Sequence, residues 1–392
     1  VDTAQSRFYA GQHDAALAQA REAAEGLERT APSPRSWKLL STARVLQGLV
    51  LRATGKKDAA AEAFARDNGV LTPAIIEAAR EGFVRATANI KTGVTLKGGA
   101  GVRRIAPIAP DRDKLPLIQI IESVKRDLAE FRSKNRLDEV VVVNVASAEP
   151  RFEWPAEFSK LETFVQALAQ DRRELFPASV LYAYAAIEAG CPYVNFTSSP
   201  GSSCAALDEL SRERGVPHIG RDAKTGETLL KTALAPMFLA RNLRVLSWEG
   251  HNILGNRDGQ VLESPENNAG KVGDKDRALR DLLKDDELHT RVRIDYVPSV
   301  GDWKTAWDFI HFSGFLGAKM QMQFIWQGCD AILAAPLLLD LIRFTEFSHR
   351  SGESGALRHL ACFFKAPYGV EEHDFFAQME MLYGYARAHP VR

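Results

Sequence analysis

The sequence predicts an α/β protein: a doubly wound parallel sheet, a second α+β part, and a helical segment ahead of both. Three observations carry this. Glu139-Val140-Val141-Val142-Val143-Asn144-Val145 is a β-branched run bounded by polar residues, which reads as a strand buried on both faces. Strands and helices then alternate from residue 139 to about residue 240, the pattern of parallel strands joined by helical crossovers. Residues 1–66 are rich in Ala, Leu, Arg and Glu, with apolar residues at helical spacing in Ala15-Ala16-Leu17 through Ala24 and in Leu39 through Leu51.

Composition narrows the function classes. The chain has 392 residues, enough for two or three domains. Lys plus Arg and Asp plus Glu both number 50, so no net charge favours nucleic acid or an anionic membrane. A hydrophobic content of 45% excludes disorder and allows a large core. Cys191, Cys204, Cys329 and Cys362 form no C-x-x-C pair, so a zinc or redox motif is not readable and the metal question stays open. Scattered thiols fit a reducing cytoplasm. The most apolar run, Ala331 to Ile342, holds Pro336 and Asp340 and is too short to span a bilayer.

In the first 66 residues, Gly11-Gln12-His13-Asp14-Ala15-Ala16 is echoed by Gly55-Lys56-Lys57-Asp58-Ala59-Ala60, each with Gly at a turn and Asp as a helix cap. The echo reads either as tetratricopeptide-type hairpins or as a plain helical bundle, split by the loop Thr30-Ala31-Pro32-Ser33-Pro34. Helices are expected at 73–88 and 117–134. After the valine strand come a helix over 179–189, a strand at Tyr193-Val194-Asn195-Phe196 and a helix over 205–214. A strand at Pro217-His218-Ile219 and a helix from about Thr225 follow. Later strands at 244–248, 291–298 and 320–326 lie further apart and suggest a second sheet. Residues 331–388 read as mostly helical.

In open α/β sheets ligands gather outside the carboxyl ends of the strands. Three such ends carry polar loops: Asn144-Val145-Ala146-Ser147, Asn195 through Gly201, and Gly220-Arg221-Asp222. After the third, Lys224-Thr225-Gly226-Glu227-Thr228 opens a helix. Backbone N–H groups and hydroxyls at a helix start suit a phosphate; ordinary capping by Thr225 or Thr228 explains the same residues. The stretch Asn252 to Gly259, after a strand ending near Trp248, suits a polyhydroxylated ligand or is a bare turn. Lys271 and Lys275 share a helix face. Lys304 follows a strand ending near Val300. A lysine is ordinarily a solvated surface charge, but Lys365, in Phe363-Phe364-Lys365-Ala366-Pro367, is either snorkelling or functionally buried. Asp330 reads as a helix N-cap or a functional carboxylate.

Taken together these segments resemble the myo-inositol-1-phosphate synthase family. His251-Asn252-Ile253-Leu254-Gly255-Asn256-Arg257-Asp258-Gly259 resembles the family's N-x-L-G-N-N-D-G signature, and Asp222-Ala223-Lys224-Thr225-Gly226-Glu227-Thr228 its D-x-K-[ST]-G-Q-T stretch. Tyr296-Val297-Pro298, Gly301-Asp302-Trp303-Lys304, Cys329-Asp330, Leu333-Ala334-Ala335-Pro336 and Lys365-Ala366-Pro367 follow in the family's order. The likeness runs from about residue 67 to the end. It implies a Rossmann-like sheet with a partial NAD-binding domain at 67–235, a catalytic and oligomerisation domain at 236–330 and a helical return at 331–392; with the tetratricopeptide-like helical hairpins read at 1–66 this makes four parts.

The implied activity is NAD-dependent isomerisation of glucose 6-phosphate to 1D-myo-inositol 3-phosphate, through oxidation, enolisation, aldol closure and reduction. Each stage places negative charge on oxygen, which ammonium groups would stabilise. The resemblance gives Lys271, Lys304, Lys365 and Asp222 as catalytic. It gives Lys275, Thr225, Gly226, Thr228, Asn256 and Asp258 to the substrate, and Asn144, Ala146, Ser147, Thr197, Ser198, Asp222 and Asp330 to NAD. It also implies a homotetramer in the cytoplasm, without nucleic-acid or membrane partners. Arg257 stands where the family has a second Asn, and Glu227 where it has Gln; a glutamate beside a phosphate is unfavourable unless it points away. No G-x-G-x-x-G is found: Gly99-Ala100-Gly101 runs into Arg104 where the third glycine belongs. The cofactor site is thus expected to lack its pyrophosphate clamp, with contacts of ~1.5 to 3 kcal/mol each. The alternative expectation is a non-catalytic homologue that binds a sugar phosphate and uses residues 1–66 to hold a partner protein.

Overall fold

A computed structural model describes residues 4, 7, 12–28, 72–106, 109–285 and 287–390, with the helix backbone alone at 13, 27–28, 73, 83, 270 and 272–278. The helical echo at 55–60, the proline-rich break at 30–34 and the side chain of Lys275 lie outside the described residues.

The chain divides into two compact units. The first comprises 1–91, 253–259 and 296–304. Its helix α1 (His13–Glu28) buries Ala16, Leu17, Ala20 and Ala24, a stripe at helical spacing. The single helix expected over 73–88 is two, α2 (Pro73–Ala78) and α3 (Arg80–Ala88), because Ala79 closes one and opens the other. In the same unit, the Gly255 N–H donates to Gly301 O at 3.0 Å and the Val297 N–H to Leu254 O at 2.9 Å. A Cβ at Gly255 would lie 2.5 Å from Val297 O, so this close approach requires glycine.

The second unit comprises 92–252, 260–295 and 305–392. After α4 (Gly99–Ile105) and α5 (Leu117–Asn135) it runs β1 (Val142–Asn144), α6 (Leu161–Ala169), α7 (Ala178–Glu188), β2 (Tyr193–Asn195), α8 (Ala205–Glu213), β3 (Pro217–Gly220) and α9 (Glu227–Ala240). Then follow in chain order, with 253–259 and 296–304 counted in the first unit, β4 (Arg244–Leu254), α10 (Arg257–Leu262), α11 (Pro265–Leu283), β5 (His289–Tyr296), β6 (Trp303–Ser313), β7 (Lys319–Cys329), α12 (Asp330–Arg350), β8 (Gly355–Ala356) and α13 (Phe375–Ala388). β1, β2, β3 and β8 form a parallel sheet in that order, with Val143 opposite Val194 and Val194 opposite Ile219.

Alternation along the strands covers both faces of this sheet. Tyr193 points into a core shared by α5, α6, α7 and α8, with Ile120, Phe164, Leu181 and Leu207. Its neighbour Val194 points the other way, with Ile219, Leu341, Leu360 and Leu382 from α12, α13 and the segment between them. The second sheet has the order β5-β4-β6-β7. Here Val245, Trp248 and Ile310 pack against Phe238 of α9 and Leu279 of α11.

Three sequence expectations change. The strand expected to end at Trp248 continues to Leu254, so His251-Asn252-Ile253 is strand rather than loop, and Arg257 opens a helix. Strand β6 was not foreseen; Lys304 lies on it rather than in a loop after a strand. Asp330 is the first helical residue of α12, with Cys329 as its N-cap.

Candidate functional site

The site begins where the parallel strands end. Phe196 N–H donates to Asn144 O at 3.0 Å, Ala223 N–H to Phe196 O at 3.0 Å and Asp222 N–H to Thr197 O at 2.8 Å. The three polar loops named from the sequence are therefore one ledge. Asn144 Nδ2 donates to Asn195 Oδ1 at 3.1 Å, and Asn144 Oδ1 accepts from the Ala146 N–H at 3.1 Å. Thr197 Oγ1 accepts from the Ser199 N–H at 2.9 Å. Ser147 and Ser198 are half-buried beside them.

A second segment zips onto the ledge. Ala223 pairs antiparallel with Phe364. The Lys365 N–H donates to Asp222 O at 2.6 Å and the Lys224 N–H to Phe363 O at 2.8 Å. This pairing sets Lys365 Nζ 2.6 Å from Asp222 Oδ1, with both side chains less than a tenth exposed. Lys365 is thus buried and paired, not snorkelling. Asp222 sits at φ +61°, a conformation uncommon outside glycine and often found where a side chain must be aimed. Its Oδ2 is buried and meets no donor among the described residues.

Lys224 lies on the same turn and escaped sequence reasoning. It is 3% exposed and donates to Gln378 Oε1 at 2.5 Å. Burial, helped by the charge of Lys365, pushes its ammonium down to about 8. The available signal was its place inside the Asp222–Thr228 motif, opposite the apolar Cys362-Phe363-Phe364.

Neither threonine caps α9. Its N-cap is Gly226, without a side-chain cap. Thr225 Oγ1 instead donates to Asp330 Oδ1 at 3.1 Å, which joins the two segments. Thr228 is 2% exposed, and its Oγ1 meets no partner among the described residues. A Cβ on Gly226 would lie 2.6 Å from Trp326 Nε1, so that indole lies directly on the turn. Trp326 was not singled out from the sequence either.

Glu149, also missed, anchors the ledge from behind. The Ser179 N–H donates to its Oε1 at 2.9 Å and the Ser179 hydroxyl to its Oε2 at 2.5 Å, at the start of α7. Burial dominates and pushes its carboxyl up to about 7. Between the ordinary value of 4.5 and about 7, the folded chain keeps a proton that the unfolded chain has lost. Stability from this group should therefore fall as pH rises through that window, opposite to a salt-bridged carboxylate. Glu149→Gln should remove the falling limb and gain roughly 2 to 3 kcal/mol at pH 8. Urea midpoints at pH 5 and pH 8 check this; an unchanged slope would refute it.

The remaining predicted residues lie on other elements. Lys271 is half-buried on α11, whose backbone also carries Lys275. Asn256 and Asp258 belong to the first unit, where Asn256 Oδ1 accepts from the Gly259 N–H at 3.0 Å. Lys304 belongs to that unit too. The glycines at 98–101 serve packing and not a phosphate loop: a Cβ on Gly101 would lie 2.4 Å from Val261 O, and the Gly101 N–H donates to Asn267 Oδ1 at 3.1 Å. Glu266 accepts from the Ala100 N–H. Among the described residues no group of three or more His, Cys, Asp or Glu is placed to hold a metal. No described helix is long and apolar enough to cross a membrane.

Comparison with known proteins locates the chain. The myo-inositol-1-phosphate synthase family model, an NAD-binding one, matches residues 105–387 and indicates NAD as the cofactor. Inositol-3-phosphate synthase 1 of Bacteroides thetaiotaomicron is 35% identical over 275 residues, 67% of this chain and 64% of that protein. Inositol-3-phosphate synthase of Trypanosoma brucei brucei is 36% identical over 242 residues, 59% of this chain and 45% of that protein. The chain thus spans about half to two thirds of the length of these relatives. The crystal structure of inositol-3-phosphate synthase from Caenorhabditis elegans superposes with a TM-score of 0.72 at 25% identity, covering 84% of this chain and 68% of that one. A myo-inositol-1-phosphate synthase-related protein from Thermotoga maritima shares the fold, with a TM-score of 0.64 at 23% identity over 80% of this chain and 84% of that one. On the extent of the family match and these identities, the chain belongs to the myo-inositol-1-phosphate synthase family.

Proposed function

We propose that the protein isomerises glucose 6-phosphate to 1D-myo-inositol 3-phosphate with NAD. The observation that carries this is the buried Lys365–Asp222 pair at 2.6 Å, beside Lys224 and the Thr225–Thr228 turn, at the carboxyl end of a parallel sheet. The ledge fits the cofactor in one testable respect: Asp222 Oδ2 is a buried acceptor that a hydroxyl or carboxamide donor would complete. Asn144, Ala146, Ser147, Thr197, Ser198 and Asp330 would hold NAD, which when bound takes a hydride from the sugar and returns it.

The chain's own groups do the rest. The N–H groups that open α9, with Thr228 Oγ1, hold the phosphate. Lys365 Nζ and Asp222 Oδ1 hold a proton between them in a dry place, so the pair can give it to, or take it from, a sugar hydroxyl. The ammonium also stabilises an alkoxide or enolate, and burial strengthens that interaction. Lys271, Lys275 and Lys304 are proposed for further oxyanion and phosphate contacts, and Asn256 and Asp258 for sugar hydroxyls, in the roles their motifs give.

We also propose a cytoplasmic homotetramer. The exposed side of the edge strand β7, where Ile325 is 70% exposed, supports association through the second sheet. A protein partner for residues 1–66 is a proposal resting on their sequence echo alone. The four-part division at residues 66, 235 and 330 is kept as a proposal too.

Calorimetric titration with NAD and with glucose 6-phosphate, followed by product detection by phosphorus NMR, tests the main reading. Binding of both with formation of inositol phosphate is expected. Binding without turnover would favour the non-catalytic homologue, and no binding of either would remove the reading.

A further inference from the structure

Beneath the phosphate turn lies a closed group of charges that the activity above does not use. Glu227 is the first residue of α9 and Lys231 sits one turn later. Lys231 Nζ lies 2.7 Å from Glu227 Oε1 and 3.3 Å from Asp308 Oδ1 of β6. All three side chains are at most 2% exposed. Trp248 Nε1 of β4 donates to Asp308 Oδ1 at 2.7 Å. The strand backbone at Gly250 seals the group: a Cβ there would lie 2.6 Å from Glu227 Oε1 and 2.9 Å from Lys231 Nζ.

A glutamate at the first position of a helix is attracted to the free N–H groups of that helix start. Those are the groups a phosphate needs, and two anions cannot share them cheaply. Here one oxygen of the Glu227 carboxylate, Oε1, lies 2.7 Å from the ammonium four residues on. Asp308 gives that ammonium a second partner, and burial pushes the Asp308 carboxyl up to about 6, with Lys231 opposing the rise. The unfavourable glutamate in the phosphate motif is thus answered inside the fold.

We propose that Lys231 is a positioning residue that holds the Glu227 carboxylate away from the Thr225–Thr228 turn and so keeps that turn able to bind a phosphate. This rests on the reading of the turn as a phosphate cradle. Without the ammonium, Glu227 competes for the α9 N–H groups and repels the ligand.

The test is a double-mutant cycle on the full chain, read by calorimetric titration with inorganic phosphate and by KM for glucose 6-phosphate. Lys231→Met should weaken phosphate at least roughly tenfold, the scale of one unscreened like charge. Glu227→Gln should bind phosphate at least as tightly as the parent. The Glu227→Gln/Lys231→Met double variant should recover to within about threefold of the parent. A purely structural role predicts no such rescue, so a double variant that folds by circular dichroism but stays as weak as Lys231→Met overturns the proposal. If Lys231→Met does not fold, Glu227→Gln decides alone, and a loss of phosphate affinity overturns it. Thr228→Val separates the two readings. If it weakens phosphate while Lys231→Met does not, only the positioning role falls. If phosphate binding ignores both changes, or is absent from the parent, the cradle and the positioning role fall together.

Discussion

Lys365→Met should abolish turnover of glucose 6-phosphate and destabilise the fold, and the two losses should be separable. The stability loss follows from burial. Removing the ammonium leaves the Asp222 carboxyl group less than a tenth exposed and without its 2.6 Å partner. Breaking a buried ion pair from one side costs about 3 to 5 kcal/mol, because the orphaned charge keeps its desolvation penalty. The Asp222→Asn/Lys365→Met double variant removes both charges and should regain most of that stability. Turnover should not return with it. A positioned proton donor is worth roughly 10²- to 10⁴-fold, and no neutral pair at 222 and 365 supplies an ammonium to an oxyanion. Urea unfolding and product formation on the same preparations decide this. A double variant that recovers turnover along with stability would show that the pair is structural only.

Much of this ledge could be seen in the sequence because its parts are local. A valine run has one good reading, and polar residues just past a strand stand where α/β ligands gather. Lys365 betrayed itself by its apolar neighbours. What could not be seen depends on partners far along the chain. β6 alternates, but its buried face carries Asp308 between Ala306 and Ile310. A charge at a core position hides the period, and its partners Lys231 and Trp248 come from α9 and β4. β4 was cut short at Trp248 because a glycine and polar residues follow, yet Gly250 and Asn252 are buried. Glu149 carries no signal of its own because Ser179, which holds it, is 30 residues away. The two-residue β8 has no signal of its own and exists because Gly355 and Ala356 pair with Pro217 and His218.

Gly250→Ala should be strongly destabilising. In a strand, alanine ordinarily replaces glycine at a gain, since it narrows the unfolded ensemble. Here the added carbon would lie 2.6 Å from Glu227 Oε1, 2.9 Å from Lys231 Nζ and 3.3 Å from Asp308 Oδ1. These atoms are side-chain ends, but they can yield only by breaking the buried cluster. Their side chains are buried, and Trp248, which donates to Asp308, is itself fully buried. The cluster must open, and an opened buried ion cluster costs about 3 to 5 kcal/mol. The control is Gly82→Ala in α3, where nothing lies within 4 Å of the new carbon. It should gain about 0.5 to 1 kcal/mol from helix propensity. Urea midpoints of the two variants should therefore move in opposite directions. If Gly250→Ala is as stable as its parent, the strand can shift enough to admit a methyl group. The charges below α9 would then not be locked, and Lys231 would have no fixed hold on Glu227.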